Sequence, residues 1–176
     1  MRIYVTRHGQ TEWNRNSIVC GESDIPLTEE GHLQAQALAH KLKGEPIHCI
    51  ISSPMIRAVQ TAQPIAQTLG LPFSTDERIV EQRFGQMEGI GRFDPEFQAA
   101  KRRFVYRYPD GESMMQLGQR VYNFLDELLE KHGDENVLIV CHGTICKIIR
   151  TYFQDMTNEE FWNFSAGNTD VQCYEI

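Results

Sequence analysis

Short apolar runs alternate with longer segments of helical periodicity along almost the whole chain, and this alternation limits what the chain can fold into. The run at 137–141 is apolar throughout, which is typical of a strand covered on both faces of a sheet. Apolar and β-branched residues predict further strands at 3–6, 47–51, 71–75 and 171–176. Strand–helix alternation of this kind predicts an α/β fold, a three-layer α/β/α sandwich with a mostly parallel central sheet.

Capping residues predict where the helices between these strands begin. Thr28 precedes two glutamates and predicts a helix that ends before Gly44. Its periodicity predicts a buried face of four residues, namely Leu33, Ala37, Leu38 and Leu42. Ser53 followed by Pro54 predicts the start of the next helix, with a kink at Pro64.

In the second half of the chain, Ser113 and Gln116 have capping-box spacing and predict a long helix that ends at Gly133. A helix is also predicted over 94–107, and Pro109-Asp110-Gly111 predicts a turn after it.

The length and charge of the chain exclude several classes of protein. A chain of 176 residues is predicted to form one domain, 1–176. A formal net charge of −7 argues against nucleic-acid binding, because no general positive field is present to hold a phosphate backbone. The sequence shows neither a signal peptide nor an apolar run of membrane-spanning length, so no membrane partner is predicted.

The five cysteines form no CxxC pair, which predicts reduced thiols and a cytoplasmic protein. Cys141, His142 and Cys146 lie close together, but no second ligand pair at zinc spacing accompanies them, and no metal site is predicted.

Arg7 and His8 follow the first strand directly, and Gly9 then allows a sharp turn. Ligands bind at the carboxyl ends of strands in open α/β sheets, so these two side chains are expected at such a site. A guanidinium presents a planar fork of donors to phosphate or carboxylate, and an imidazole can attack, donate or accept. The pair therefore indicates an oxyanion ligand rather than a metal.

Two further strands lead to groups of the same kind. Arg57 follows the second strand, and His142 follows the strand at 137–141. The helix predicted to open at Gly143 and Thr144 adds free backbone N–H groups and the positive end of its dipole. A parallel sheet brings these groups to one edge, where a phosphoryl group would relieve their mutual repulsion.

Six sequence blocks, in order, give the chain a resemblance to the histidine phosphatase superfamily, the phosphoglycerate-mutase-like family. The blocks are RHGQTEWN at 7–14, LTEEG at 27–31, SSPMIRAVQTA at 52–62, EQRFGQMEG at 81–89, PDGES at 109–113 and VCHGT at 140–144. The resemblance implies that His8 is the nucleophile that becomes phosphohistidine and that Glu81 protonates the leaving alcohol. It implies a phosphate pocket formed by Arg7, Arg57 and His142, with no metal and no cofactor.

The resemblance also implies further contacts to the substrate. Asn14 and the Gly143 amide would be additional donors, and Gly21 and Thr144 are expected to contact substrate as well. Glu88 lies in the same loop as Glu81 and is an alternative acid, although the resemblance assigns it to holding the loop.

The segment 92–108 is expected to decide the substrate. It carries five basic residues against two acidic ones, with aromatic residues between them. Two interpretations stay open: a lid that covers an anionic or aromatic phosphoester, and an amphipathic helix with a solvated basic face.

Glycolytic mutases of the family that the chain resembles have larger insertions at this segment, and this chain ends soon after its last predicted strand. Both features favour a small phosphomonoesterase. Phosphoglycerate mutase is the alternative, followed by a phospho-ligand binding module without catalysis. The predicted partner is a small anionic phosphoester, and the protein is expected to be a monomer or a homodimer.

Overall fold

All 176 residues are described by the computed structural model, in which five strands form one sheet. The strands are β1 (Arg2–Arg7), β2 (Cys49–Ser52), β3 (Phe73–Thr75), β4 (Val137–Cys141) and β5 (Val171–Glu175). Their spatial order is β3-β2-β4-β1-β5, and all neighbours are parallel except β5, which is antiparallel to β1. The apolar run at 137–141 is thus the central strand, and each of its residues is buried.

Seven helices connect and cover these strands. They are α1 (Glu12–Arg15), α2 (Glu29–Lys41), α3 (Ile56–Leu69), α4 (Pro95–Lys101), α5 (Met114–Lys131), α6 (Gly143–Phe153) and α7 (Asn158–Asn163). Short 3₁₀ turns occur at Glu77–Ile79 and Gly85–Met87. None of the helices has the length and apolar character of a membrane-spanning segment.

Each face of the sheet packs against its own layer of helices. Leu138 and Val140 of β4 belong to a core shared with α2 and α3. Ile139 and Cys141, on the opposite face, belong to a larger core shared with α5 and α6. Because neighbouring residues of one strand enter different cores, both faces are covered, and the prediction of a three-layer α/β/α sandwich is confirmed.

The predicted buried face of α2 is partly wrong. Thr28 caps the helix as expected, but Leu33 is 55% exposed and Ala37 is also exposed. Leu38 and Leu42 are buried as predicted, and the other buried residues of the helix are the small Gly31, Ala35 and Ala39. At Gly31 an added Cβ would meet the backbone oxygen of Gln10 at 2.2 Å, so close backbone contact decides which face turns inward.

The start of α3 also differs from the prediction. The helix begins at Ile56, its N-cap is Met55, and no side chain caps it. Ser53 instead lies at the carboxyl end of β2, where its hydroxyl bonds His142. The helix continues through Pro64 to Leu69.

The helix predicted over 94–107 ends at Lys101. Its aromatic residues pack against different parts of the protein and cannot share one helical face. Phe97 packs against Phe84 and Tyr108, whereas Phe104 packs against Phe161 and Trp162. The capping box of Ser113 and Gln116 opens α5 as predicted.

Candidate active site

The carboxyl ends of the three adjacent parallel strands β1, β4 and β2 bring the predicted residues to one edge of the sheet. Arg7 pairs with Cys141 in register, and the amide of His8 donates to the carbonyl of Cys141 at 3.0 Å. The amide of Ser53 donates to the carbonyl of Val140 at 2.9 Å. His8, Ser53 and His142 therefore follow neighbouring strand ends, as the parallel sheet requires.

His8 is buried, with 3% of its surface exposed, and its Nδ1 lies 2.7 Å from the carbonyl oxygen of Gly9. A carbonyl oxygen only accepts, so Nδ1 carries the ring proton in this contact. Burial lowers the pKa of His8 well below 6.5, and the charges of Arg7 and Arg57 lower it further. The ring is therefore neutral at physiological pH, and Nε2 retains its lone pair.

His142 lies beside His8, with the two ring centroids 5.2 Å apart. Its Nδ1 accepts from Nε of Arg57 at 3.2 Å, and its Nε2 lies 2.8 Å from the hydroxyl of Ser53. Burial lowers the pKa of His142 well below 6.5, and the charge of Arg57 is the second cause of this shift. In the neutral ring, Nδ1 accepts a hydrogen bond from Arg57 and Nε2 donates one to the hydroxyl of Ser53.

Arg57 is buried and has no carboxylate partner. Its Nη1 donates to the carbonyl of Ser23 and its Nη2 to that of Gly21, both at 2.8 Å. Gly21 thus holds Arg57 in this structure, and its direct contact with substrate stays a prediction.

Glu88 holds the loop at 22–23, and not its own loop at 81–89 as expected. Its carboxylate accepts from the amides of Glu22 and Ser23 and from the Ser23 hydroxyl. Because Ser23 in turn binds Arg57, Glu88 orients the guanidinium from a distance and is not free to act as the acid.

Glu81 is buried and lies at the N-terminus of α6. Its Oε2 accepts from the amide of Thr144 at 3.1 Å, and its Oε1 from the amide of Gln82 at 2.9 Å. A Cβ added to Gly143 would lie 3.7 Å from Nε of Arg7 and 3.8 Å from Oε2 of Glu81. Glycine at position 143 leaves open the space between the Arg7 guanidinium and the Glu81 carboxylate.

One buried donor of Arg7 has no partner. Its Nη1 donates to the carbonyl of Ala166 at 2.9 Å, but its buried Nε has no hydrogen-bond partner. A buried guanidinium donor that is left unpaired is costly unless a ligand accepts from it.

Arg7, Glu81, Gly143 and Thr144 line a cavity of about 110 Å³. Its other charged residues are Arg92, Lys101 and Lys147, so a single carboxylate faces four cations. His8, Arg57 and His142 pack against one another beside this cavity with almost no exposed surface. Such an electropositive pocket is suited to an anionic group.

Asn14 lies in α1 and is linked to the backbone of His8 through Asn168. The side-chain amide of Asn168 donates to the carbonyl of His8 at 2.7 Å and to Oδ1 of Asn14 at 3.4 Å. The amide of Thr11 also donates to Oδ1 of Asn14, so the Asn14 NH₂ is the group available to a ligand.

Sequence reasoning missed Ser53, Asn168 and Lys147. Ser53 looked like a helix cap, and Asn168 lies in a turn without any motif. Lys147 follows Gly143 by four residues, a spacing that places both on one side of α6 and could have identified it.

Comparison with known proteins settles the family. A sequence model of the histidine phosphatase superfamily (branch 1) matches residues 3–176. The chain belongs to the histidine phosphatase superfamily. It is an enzyme of this superfamily, as predicted from its six sequence blocks.

Individual members include both mutases and phosphatases by name. The probable phosphoglycerate mutase GpmB of Yersinia pestis (strain Pestoides F) is 39% identical over 150 residues, 81% of this chain and 70% of its own length. The alpha-ribazole phosphatase of Shigella flexneri superposes with a TM-score of 0.88 at 27% identity, covering 100% of this chain and 91% of its own. The phosphoserine phosphatase of Entamoeba histolytica, solved with 3-phosphoglyceric acid, has a TM-score of 0.85 at 28% identity and covers 98% and 89%.

Proposed function

We propose that this protein is a metal-independent phosphomonoesterase that carries the phosphoryl group of a small metabolite on His8 and then transfers it to water. The observation that carries the proposal is the state of His8. Its Nδ1 is held by the carbonyl of Gly9 and its pKa is low, which leaves Nε2 as an unprotonated nucleophile among guanidinium groups.

In the first step, Nε2 of His8 forms a bond to phosphorus as the bond to the ester oxygen breaks. Glu81 gives its proton to the leaving oxygen, which departs as an alcohol. In the second step, Glu81 removes a proton from water as the water oxygen attacks phosphorus and releases His8. The amides of Thr144 and Gln82 support this assignment because they hold the carboxyl group beside the cavity.

The other predicted residues are assigned to the phosphoryl group itself. Phosphoryl transfer depends mainly on positioning and on stabilising charge on the phosphoryl oxygens. The unpartnered Nε of Arg7 is suited to donate to one oxygen. Arg57 and His142 form the second side of this pocket, joined by their mutual hydrogen bond. Asn14 and the Gly143 amide supply further donors.

Hydrolysis is favoured over mutase activity by the structural neighbours. Those from Shigella and Entamoeba are named phosphatases and match this chain along nearly its full length. The name of the Yersinia relative keeps phosphoglycerate mutase as the alternative. Incubation with 3-phosphoglycerate separates the two: a phosphatase releases inorganic phosphate, whereas a mutase forms the 2-phospho isomer.

The segment 92–108 is proposed to act as a cover over the substrate. Arg92, Phe97 and Lys101 line the cavity, which favours this role over a solvated basic face. The segment is held by a small apolar cluster of six residues, namely Val19, Phe84, Met87, Phe97, Ala100 and Tyr108.

We further propose a single domain, acting as a monomer or homodimer in the cytoplasm. All five cysteines are free thiols, and the sulfurs of buried Cys141 and Cys146 lie 3.6 Å apart without a bond, which suits a reducing compartment.

The direct test compares His8→Ala with His32→Ala, which removes an exposed histidine of α2. His8→Ala is expected to abolish hydrolysis of an aryl phosphate while inorganic phosphate or vanadate still binds. His32→Ala should behave as wild type. Turnover that survives in His8→Ala would remove His8 from the mechanism.

The role of Glu81 is tested by the leaving group. Glu81→Gln should lower kcat by roughly 10²–10⁴ for an alkyl phosphate, whose leaving group needs a proton. The loss should be smaller for nitrophenyl phosphate. An equal loss on both substrates would contradict a general-acid role.

A further inference from the structure

The PDGES block at 109–113 does not line the cavity, but it contacts the segment 78–83 that carries Glu81. The amide of Glu112 donates to the carbonyl of Arg83 at 2.9 Å, and Oε1 of Glu112 accepts from the amide of Arg83 at 3.1 Å. A Cβ added to Gly111 would lie 2.3 Å from the same carbonyl oxygen. The block therefore packs closely against the backbone of this segment, two residues after Glu81.

Arg120 of α5 joins Glu112 to the same segment. Its Nε and Nη2 donate to the two carboxylate oxygens of Glu112 at 3.2 and 2.7 Å. The same guanidinium donates to the carbonyl of Arg78 at 2.5 Å and to that of Glu81 at 3.1 Å. The side chains of Arg120 and Glu112 are only 19% and 9% exposed. A mostly buried ion pair is thus bonded directly to the backbone of Glu81.

Regular secondary structure does not fix Glu81. Residues 80–84 belong to no helix or strand, and no backbone–backbone hydrogen bond includes Glu81 or Gln82. A buried ion pair contributes little net stability, because the cost of removing both charges from water offsets their attraction. A guanidinium, however, presents a rigid planar fork of donors that can bond a carboxylate and carbonyl groups at fixed angles. The contacts of Arg120 therefore account for the position of Glu81 better than for the stability of the fold.

From these contacts we propose that Arg120, paired with Glu112, is a positioning residue for the general acid. It fixes the backbone of Glu81 so that the carboxyl group stays beside the cavity at the N-terminus of α6. This inference rests on the proposed role of Glu81 and extends it to two residues that do not line the cavity. A displacement of about 1 Å at a reacting group can cost on the order of 10²-fold in rate, so the contact has a measurable consequence.

Arg120→Lys keeps the positive charge and removes the fork of donors. Its kcat/KM for an alkyl phosphate should fall by roughly 10- to 100-fold, because that leaving group needs the proton of Glu81. Its kcat/KM for nitrophenyl phosphate should fall by less than about threefold, because nitrophenolate leaves without a proton. Equal losses on the two substrates would overturn the proposal.

Arg78→Lys is the matched control. The side chain of Arg78 forms ion pairs with Asp76 and Glu127, but it does not contact Glu81. This variant also weakens an ion pair at the segment 78–83, and it should leave the ratio of kcat/KM between the alkyl and nitrophenyl substrates unchanged. A fall in this ratio as large as that of Arg120→Lys would show a general effect of ion-pair loss and would overturn the proposal.

The same substitution in Glu81→Gln shows whether Arg120 acts through the acid. Two residues that act through one group are not additive, so Arg120→Lys should change the substrate ratio by less than about twofold in this background. A further tenfold fall would mean that Arg120 acts elsewhere, and would overturn the inference. Failure of the proposed function is distinguishable, because equal losses on both substrates in Glu81→Gln alone refute the acid without any Arg120 variant.

Amide hydrogen exchange tests the position of Glu81 without turnover. The amides of Gln82 and Thr144 donate to its carboxylate, so both should exchange roughly tenfold faster in Arg120→Lys than in wild type or Arg78→Lys. Glu112→Gln is the second variant, with the same expected effects, and is used if Arg120→Lys does not fold. It keeps an acceptor for the Arg83 amide but loses the charge that orients Arg120. Unchanged exchange of both amides in the folded variant would overturn the proposal.

Discussion

His8 and His142 owe their proposed chemistry to being neutral in a cationic environment. Burial disfavours the imidazolium form of both, and neighbouring guanidiniums disfavour it further. Both rings should therefore stay neutral as the pH falls through 6.5, and the acidic limb of kcat/KM caused by His8 should lie below that pH.

Nuclear magnetic resonance of the imidazole C–H signals measures this directly, with His8→Ala used for assignment. Titration of His8 at or above pH 6.5 in the free enzyme would contradict the proposed nucleophile state.

Ser53 is proposed to position His142 through its hydroxyl. Ser53→Ala leaves Nε2 of a fully buried imidazole without its partner, which should cost about 1–3 kcal/mol of stability. Ser52→Ala is the matched control, because Ser52 is equally buried but bonds only the Ser53 carbonyl.

Urea unfolding and kcat/KM are measured for both variants. A roughly tenfold loss of kcat/KM is expected for Ser53→Ala alone, equivalent to about 1.4 kcal/mol. Equal activity losses in both serine variants would show that Ser53 has no particular role in positioning His142.

The site could be predicted from sequence only where residues occur in contiguous blocks. Arg7, His8 and His142 follow strands, so strand prediction alone placed them at one edge. Asn168 reaches the His8 carbonyl only because the turn before β5 folds back over β1, a contact across 160 residues that leaves no local pattern.

At the scale of elements, α2 positions the loop that carries His8 through contact between backbones. An added Cβ at Gly31 would meet the Gln10 oxygen at 2.2 Å, and one at Gly9 would meet the Gly31 oxygen at 2.5 Å. Gly31→Ala should therefore destabilise the protein by about 1–3 kcal/mol and lower kcat.

Gly118→Ala provides the control for this prediction. Gly118 is also helical, in α5, but nothing lies within 4 Å of its added Cβ, so alanine should stabilise the protein by about 0.5–1 kcal/mol. Thermal unfolding distinguishes the two. A neutral or stabilising Gly31→Ala would contradict the role of this contact.

Helices and strands marked by a local sequence signal form where they are predicted, whereas helices whose ends depend on tertiary packing do not. The capping box of α5 and the apolar run of β4 are local signals, and both elements form where expected. The helix predicted over 94–107 is shorter in the structure and ends at Lys101. In the folded chain Phe104 and Tyr108 pack into separate clusters, and the helix ends before them.

At the scale of the whole molecule, a protein with a net charge of −7 concentrates positive charge in one cavity. The charge of the phosphoryl group is met by guanidinium and backbone donors in this account, so catalysis does not depend on a divalent cation. Dialysis against EDTA should leave kcat/KM for an aryl phosphate within about twofold of its starting value, a change below about 0.5 kcal/mol. Loss of activity that Mg²⁺ or Zn²⁺ restores would refute the metal-independent mechanism.

Transfer of phosphorus to His8 is the claim on which the other assignments depend. Rapid quenching of the enzyme with a ³²P-labelled phosphoester, followed by peptide mapping, measures it most directly. The account predicts a label on the peptide that contains His8, stable to base, labile to acid and absent from His8→Ala. Steady turnover with no trapped label, or a label on another residue, would contradict it.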